Sequence, residues 1–149
     1  MADAIDKDPN YWVLCIDDDP FLRLGLESAL GQTKDIEFSA AASKADGMKM
    51  FVEMWNDSRE DAKRKPSLIL LDQDLQGGEK GTDLLREIID FCGGSPEDAV
   101  KVCMLSASQR QRDWGKAFEL GAIGWIDKAA VTDLDKFPGR LRDIINNRQ

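Results

Sequence analysis

The sequence contains no histidine. That absence removes the commonest general base and metal ligand, and it means the chain cannot itself carry a phosphohistidine, so any phosphoryl group it handles is supplied by another protein. No apolar run approaches the roughly 20 residues that a membrane-spanning helix needs. The opening MADAIDKDPN carries acids and no apolar core, unlike a secretory signal or a transit peptide. A cytoplasmic location with no membrane association is therefore expected. Cysteine is scarce and odd in number: Cys15, Cys92 and Cys103 stand at unrelated spacings, two of them in apolar strand-like runs where a free thiol behaves as a small hydrophobe. All three are expected to be structural. No G-x-G-x-x-G follows the first strand-like run, which speaks against a dinucleotide site. Positive charge is in deficit, with 20 basic against 28 acidic residues and a formal net charge of −8. Neutralising nucleic-acid phosphates requires a basic face, so direct nucleic-acid contact is not expected.

What is present is a chain of 149 residues, 42% hydrophobic and 32% charged, within the usual size of one domain with one core. Short apolar runs alternate with longer amphipathic ones, the pattern of parallel strands joined by crossover helices. Five pairs can be counted. The expected strands are Tyr11 to Ile16, Ile36 to Ala41, Leu68 to Leu71, Val100 to Leu105 and Ile123 to Ile126. They are short and nearly continuous in hydrophobicity, as strands buried on both faces are.

Asp19 before Pro20 is an N-cap followed by proline at the first helical position, and Gly31 is expected to end that helix. Ser43 with Asp46 three residues on opens the second helix, and Asp57 to Lys65 reads as a solvated loop. The third helix is expected over Asp83 to Phe91, stopping at Gly93-Gly94, and the fourth over Arg110 to Leu120, stopping at Gly121. Ser95-Pro96-Glu97 suggests an extra turn between them. Leu134, Phe137, Leu141, Ile144 and Ile145 share a face in the last helix, whose start Pro138-Gly139 should break or delay. The fold class is thus α/β: a doubly wound, five-stranded parallel (βα)5 sheet over residues 11–149, with residues 1–10 as an N-terminal extension. No segment is left over for an output domain.

An open parallel sheet of this kind places its ligand site at the carboxyl ends of the strands. Asp17, Asp18 and Asp19 follow the first strand, Asp72 and Asp74 the third, Ser106 the fourth and Lys128 the fifth. Neighbouring carboxylates raise one another's pKa unless a cation sits among them, and Mg²⁺ is the natural hard cation for oxygen ligands. One Asp can then act as nucleophile toward a phosphoryl group whose oxygens the metal, Lys128 and the Ser106 hydroxyl hold. Singly, each signal has a blander reading: a helix cap for the Asp triplet, a strand-terminal loop for DQD, a turn for Ser106, a solvated charge for Lys128. Their joint occurrence at successive strand ends favours the chemical one.

These segments resemble the receiver domain of two-component response regulators over nearly the whole chain. "VLCIDDDP" is similar to that family's first-strand motif, "LILLDQDL" to its phospho-acceptor strand, "VCMLSA" to its fourth strand and "GAIGWIDK" to its fifth. The resemblance implies the flavodoxin-like strand order 2-1-3-4-5 and Asp72 as phospho-acceptor. It also implies a Mg²⁺ site of Asp17, Asp18, Asp72 and the backbone carbonyl of Asp74, with Lys128 and Ser106 contacting the phosphoryl group. Ser106 and Trp125 fall at the switch positions. The loop "QDLQGGEKG" lacks the usual proline and is one residue longer before Gly81, Ala129 replaces a proline after the lysine, and Trp125 replaces a smaller aromatic.

The implied function is a stand-alone, single-domain response regulator rather than an enzyme. It would be phosphorylated by a histidine kinase or a histidine phosphotransfer protein and would signal by contact with a downstream protein through the fourth helix, fifth strand and fifth helix. Two alternatives stand beside it. One is a pseudo-receiver, an interaction module independent of phosphate; the other is a haloacid-dehalogenase-like phosphatase, since "LLDQDL" also suits that family's nucleophile.

Overall fold

The structure, a computed structural model, describes residues 11–60, 66–95, 99–107, 111–128, 131 and 134–146, with backbone alone for 57–60, 76 and 111–114. Five strands, β1 (Tyr11–Ile16), β2 (Ile36–Ala41), β3 (Leu68–Asp72), β4 (Lys101–Ser106) and β5 (Gly124–Asp127), alternate with five helices. These are α1 (Pro20–Gly31), α2 (Lys44–Glu60), α3 (Gly81–Phe91), α4 (Gln111–Leu120) and α5 (Phe137–Ile145). The sheet order is β2-β1-β3-β4-β5, and every pairing is parallel. This is the five-stranded, flavodoxin-like arrangement expected.

Side-chain alternation along the strands splits the core into two layers. Leu14, Ile16, Ile69, Leu71 and Met104 pack with Phe51 and Met54 of α2 and Leu84, Leu85, Ile88 and Ile89 of α3. On the other face Val13, Cys15, Leu68, Leu70, Cys103, Leu105 and Ile126 pack with Leu26 and Leu30 of α1 and Phe137, Leu141 and Ile145 of α5. The central strands bury no polar side chain until their carboxyl ends, where Asp17, Asp72 and Ser106 stand. Cys15 and Cys103 are buried free thiols, as anticipated, and burial pushes the Cys103 thiol up to about 12. Cys92 is half-buried and free.

The local signals largely hold. Asp19 caps α1, its Oδ1 accepting from the Phe21 N–H at 3.0 Å and the Leu22 N–H at 3.4 Å. Ser43 Oγ accepts from the Asp46 N–H at 3.1 Å before α2. Gly93, Gly94 and Gly121 all have positive φ where α3 and α4 stop.

Several boundaries differ from expectation. Helix α2 runs on to Glu60, because Asp57 to Glu60 contains neither Gly nor Pro to stop it; residues 61–65 of the expected loop lie outside the described residues. Helix α1 includes Gly31 and is capped by Gln32. Strand β3 reaches Asp72, β4 and β5 each begin one residue later than expected, and α3 starts at Gly81. The last helix starts late, as expected: Leu134 lies in a turn before α5, and Pro138 occupies the first turn, where no intrahelical N–H is required of it. The turn expected at Ser95-Pro96-Glu97 and the Ala129 position lie largely or wholly outside the described residues. No helix among the described residues is long and apolar enough to cross a membrane.

Candidate functional site

Parallel pairing brings the carboxyl ends of β1, β3, β4 and β5 to one edge. Asp17 follows β1 directly, and its backbone still belongs to the sheet, its N–H donating to the Ala41 carbonyl at 3.0 Å. Asp17 is fully buried, Asp72 is 2% exposed and Asp18 is half-buried. One carboxylate oxygen from each of the three lies within 4.8 Å of the others.

Lys128 leaves the end of β5 and reaches both buried acids, with Nζ 2.9 Å from Asp17 Oδ2 and 3.1 Å from Asp72 Oδ2. Apart from that ammonium, no donor among the described residues meets either Oδ2. The Oδ1 atoms are used by the backbone: Asp17 Oδ1 accepts from the Asp19 N–H at 2.8 Å and Asp72 Oδ1 from the Asp74 N–H at 3.2 Å. Two buried carboxylates therefore share one lysine, with the Asp18 carboxylate beside them.

The electrostatic consequence falls on Asp72. Burial and then the neighbouring charge of Asp17 push its carboxyl up to about 7, against the opposing pull of Lys128. Burial works to lower the Lys128 ammonium, but the hydrogen bond and charge of Asp17, with the charge of Asp72, outweigh it and hold the group above its ordinary value.

Two backbone features fix the pocket. Gly81 opens α3 directly over β3: a Cβ there would lie 2.2 Å from the Asp72 carbonyl oxygen, so only glycine allows this approach. Between them the loop closes as a small hairpin. Asp74 and Lys80 form an antiparallel bridge, the Leu75 N–H donates to the Glu79 carbonyl at 3.0 Å, and Gly77 and Gly78 turn the chain with φ of 75° and 78°. The Asp74 side chain faces Lys80, its Oδ1 at 2.9 Å from Nζ, leaving its backbone carbonyl as the group it could offer a metal.

A family model of the response regulator receiver domain matches residues 13–136. The chain belongs to this family. Solved structures agree with it in fold. A two-component response regulator of the LuxR family from Aurantimonas sp. SI85-9A1 superposes with a TM-score of 0.68 at 21% identity, over 93% of this chain and 86% of that one. A CheY-like receiver domain protein from Methanospirillum hungatei JF-1 gives 0.66 at 17% identity, over 93% and 95%. The phosphorylated cyanobacterial phytochrome response regulator RcpA gives 0.70 at 20% identity, over 94% and 96%. No curated protein sequence matches.

Of the residues singled out in the sequence, Asp17, Asp18, Asp72 and Lys128 come together in this receiver. Ser106 is fully buried at the end of β4, and Trp125 is half-buried in β5 opposite Met104, packed on the layer that holds α2 and α3. Two neighbours escaped notice. Arg23 reaches back from α1 to donate through Nη1 to the Asp17 carbonyl at 2.6 Å, tying down the acidic loop. Its signal was its place on the first turn after the Asp19 cap. Gln73, buried beside the acceptor, carried no sequence signal beyond being polar at the end of an apolar strand.

Proposed function

We propose that this receiver is a phospho-acceptor switch in which Asp72 takes a phosphoryl group from the phosphohistidine of a histidine kinase or phosphotransfer protein. The observation that carries this reading is the sharing of Lys128 by two buried carboxylates, Asp17 and Asp72, with Asp18 beside them. The three acids exceed the local positive charge, and a hard divalent cation suits an all-oxygen donor set. Asp17, Asp18 and Asp72, with the Asp74 carbonyl, would hold Mg²⁺. When bound, the ion would neutralise the oxygens of the incoming phosphoryl group.

This chain's own residues account for the rest. An Asp72 oxygen attacks phosphorus; the P–N bond to the donor imidazole breaks, and the ring nitrogen keeps the electron pair. Lys128, already at 3.1 Å from Asp72, stays with the phosphoryl oxygens, and the Ser106 hydroxyl donates to one of them. Phosphorylation adds roughly −1.5 to −2 charges and three strong acceptors. Drawing in Ser106 shifts the start of the segment leading to α4, and the Trp125 side repacks. Output follows by protein contact at α4, β5 and α5, with neither nucleic acid nor membrane in direct contact.

Incubation with acetyl phosphate and Mg²⁺, followed by borohydride trapping and mass analysis, should label Asp72 alone, with loss of the label in Asp72→Asn. Full labelling of Asp72→Asn would sink the assignment. Hydrogen exchange with a beryllofluoride mimic should change protection over residues 101–107 and 111–128. Changes confined to the loops at Asp18 and Asp72 would instead mark a receiver whose signal stops at the site.

A further inference from the structure

Arg23 grips the acidic loop on both sides of Asp18. Its Nη1 donates to the Asp17 carbonyl at 2.6 Å, and its backbone N–H donates to the Asp19 carbonyl at 3.1 Å. Asp17 is fully buried, and among the described residues no backbone N–H meets its carbonyl, so the guanidinium is what satisfies that oxygen. The Asp17 carbonyl and the Asp18 N–H belong to one planar peptide unit. A donor that fixes the carbonyl therefore also fixes the plane in which the Asp18 Cα lies. The peptide after Asp18 is held as well, by the bond from the Asp19 N–H to Asp17 Oδ1 at 2.8 Å. Between these two fixed units Asp18 is half-buried, with a carboxylate oxygen within 4.8 Å of those of Asp17 and Asp72.

The guanidinium also brings charge to this neighbourhood. The Cys15 thiol, raised by burial and then by Asp17 and Asp72, is drawn down by Lys128 and Arg23. For a cation entering the pocket the two properties of Arg23 act in opposite directions. A loop already in place spares the ion the cost of ordering its ligands, whereas a second positive charge repels it.

We propose that Arg23 is a positioning residue for the divalent cation: by holding the Asp17 carbonyl it presets the Asp18 carboxylate for the ion, and this gain exceeds the repulsion of its charge. This rests on the reading of Asp17, Asp18 and Asp72 as a Mg²⁺ site. Arg23 acts through the backbone of the loop and not by contact with the ion, so its effect on labelling of Asp72 follows from its effect on Mg²⁺ affinity.

The test titrates Mg²⁺ into wild type, Arg23→Met, which removes donor and charge, and Arg23→Lys, which keeps the charge and a donor. Arg23→Gln, whose amide stops short of the carbonyl, serves if the methionine variant does not fold. Tryptophan fluorescence follows binding, and amide hydrogen exchange at residues 18 and 19 follows the loop. A merely structural role would lower the melting temperature of Arg23→Met and leave its affinity for the ion alone. Arg23→Met should instead bind Mg²⁺ about tenfold more weakly, the effect of one lost hydrogen bond with a charged partner, and Arg23→Lys should recover most of that loss. The two amides should exchange faster in metal-free Arg23→Met than in wild type, and saturating Mg²⁺ should close the gap. Affinity of Arg23→Met within about twofold of wild type would overturn the proposal, and so would exchange no faster than in wild type. Tighter binding in Arg23→Met would overturn it by showing that charge outweighs positioning. Equal weakening in the Lys and Met variants would do so as well, since a donor returned to that place would then not matter. Failure of wild type itself to bind millimolar Mg²⁺ would instead remove the metal reading, and this inference with it.

Discussion

Two ion clusters sit at opposite edges of the same sheet and are built on opposite principles. At the amino edge Asp35, just before β2, receives a two-pronged bond from Arg142 of α5, Nε to Oδ2 and Nη2 to Oδ1, both at 2.8 Å. Charge is matched one to one, geometry is planar and both groups keep partial access to water. The Arg142 hydrogen bond holds the Asp35 carboxyl below its ordinary value. At the carboxyl edge Asp17 and Asp72 are buried, share one lysine and stand beside Asp18, and Asp72 is pushed up rather than down. One cluster has its charges satisfied and ties α5 to the start of β2. The other is left in excess of negative charge, and that excess is what a divalent cation and a phosphoryl group can use.

The largest effect should come from removing the shared cation. Lys128→Met would leave two buried carboxylates with no counter-charge, a loss of about 3 kcal/mol by analogy with other broken buried pairs. Urea unfolding at pH 8 would measure it, and millimolar Mg²⁺ should return more stability to this variant than to wild type. An unchanged unfolding midpoint without metal would mean that the buried acids do not depend on Lys128 for their counter-charge.

Removing a charge should do the reverse. Asp72→Asn deletes a carboxylate that burial and Asp17 disfavour, so the metal-free variant should be more stable than wild type by about 1–3 kcal/mol at pH 8. The pH dependence gives the sign. Asp72 titrates at about 7 in the folded chain and near 4 when unfolded, so the native state binds the extra proton between those values. Wild-type stability therefore falls as pH rises from about 4 to about 7, and the advantage of Asn grows over that window and levels off above it. Melts of the two proteins from pH 4 to pH 8, without divalent ions, would follow it; a difference that shrinks as pH rises would contradict the assignment.

The contrast between the clusters also separates what could be read in the sequence from what could not. Asp17, Asp18, Asp72, Ser106 and Lys128 were legible because each ends an apolar run, and a parallel sheet must bring such ends to one edge. The strand order needed the family resemblance, since alternation of strands and helices does not say which strand lies next to which. Gln73 and the one-to-one pair of Asp35 with Arg142 were not legible. Each depends on a tertiary approach, over as many as 107 residues of chain for the last, that periodicity does not encode. The hairpin between Asp74 and Lys80 was hidden for the same reason. "QGGEK" signals a turn, but the bridge from Asp74 to Lys80 depends on how β3 meets α3 through the close approach at Gly81.

The smallest effect tests the satisfied cluster. Asp35→Asn keeps the side-chain shape and the backbone bond from the Tyr11 N–H to the residue 35 carbonyl, 2.9 Å long in the wild type, and removes only the charge facing Arg142. For a pair this exposed the cost should be about 0.2–1 kcal/mol near neutral pH, and it should shrink with added salt. The folded-state pKa of Asp35 is depressed, so the pair's contribution is present above the unfolded value of about 4 and is lost as pH falls through the folded one. Acid should therefore erase the difference between variant and wild type, the opposite trend to that of Asp72→Asn, whose advantage grows toward neutral pH. Mg²⁺ binding, followed by tryptophan fluorescence, should be the same in Asp35→Asn as in wild type. A change in Mg²⁺ affinity would mean that the two edges are coupled through the sheet, and that the amino-edge pair takes part in the switch as well as holding α5 to β2.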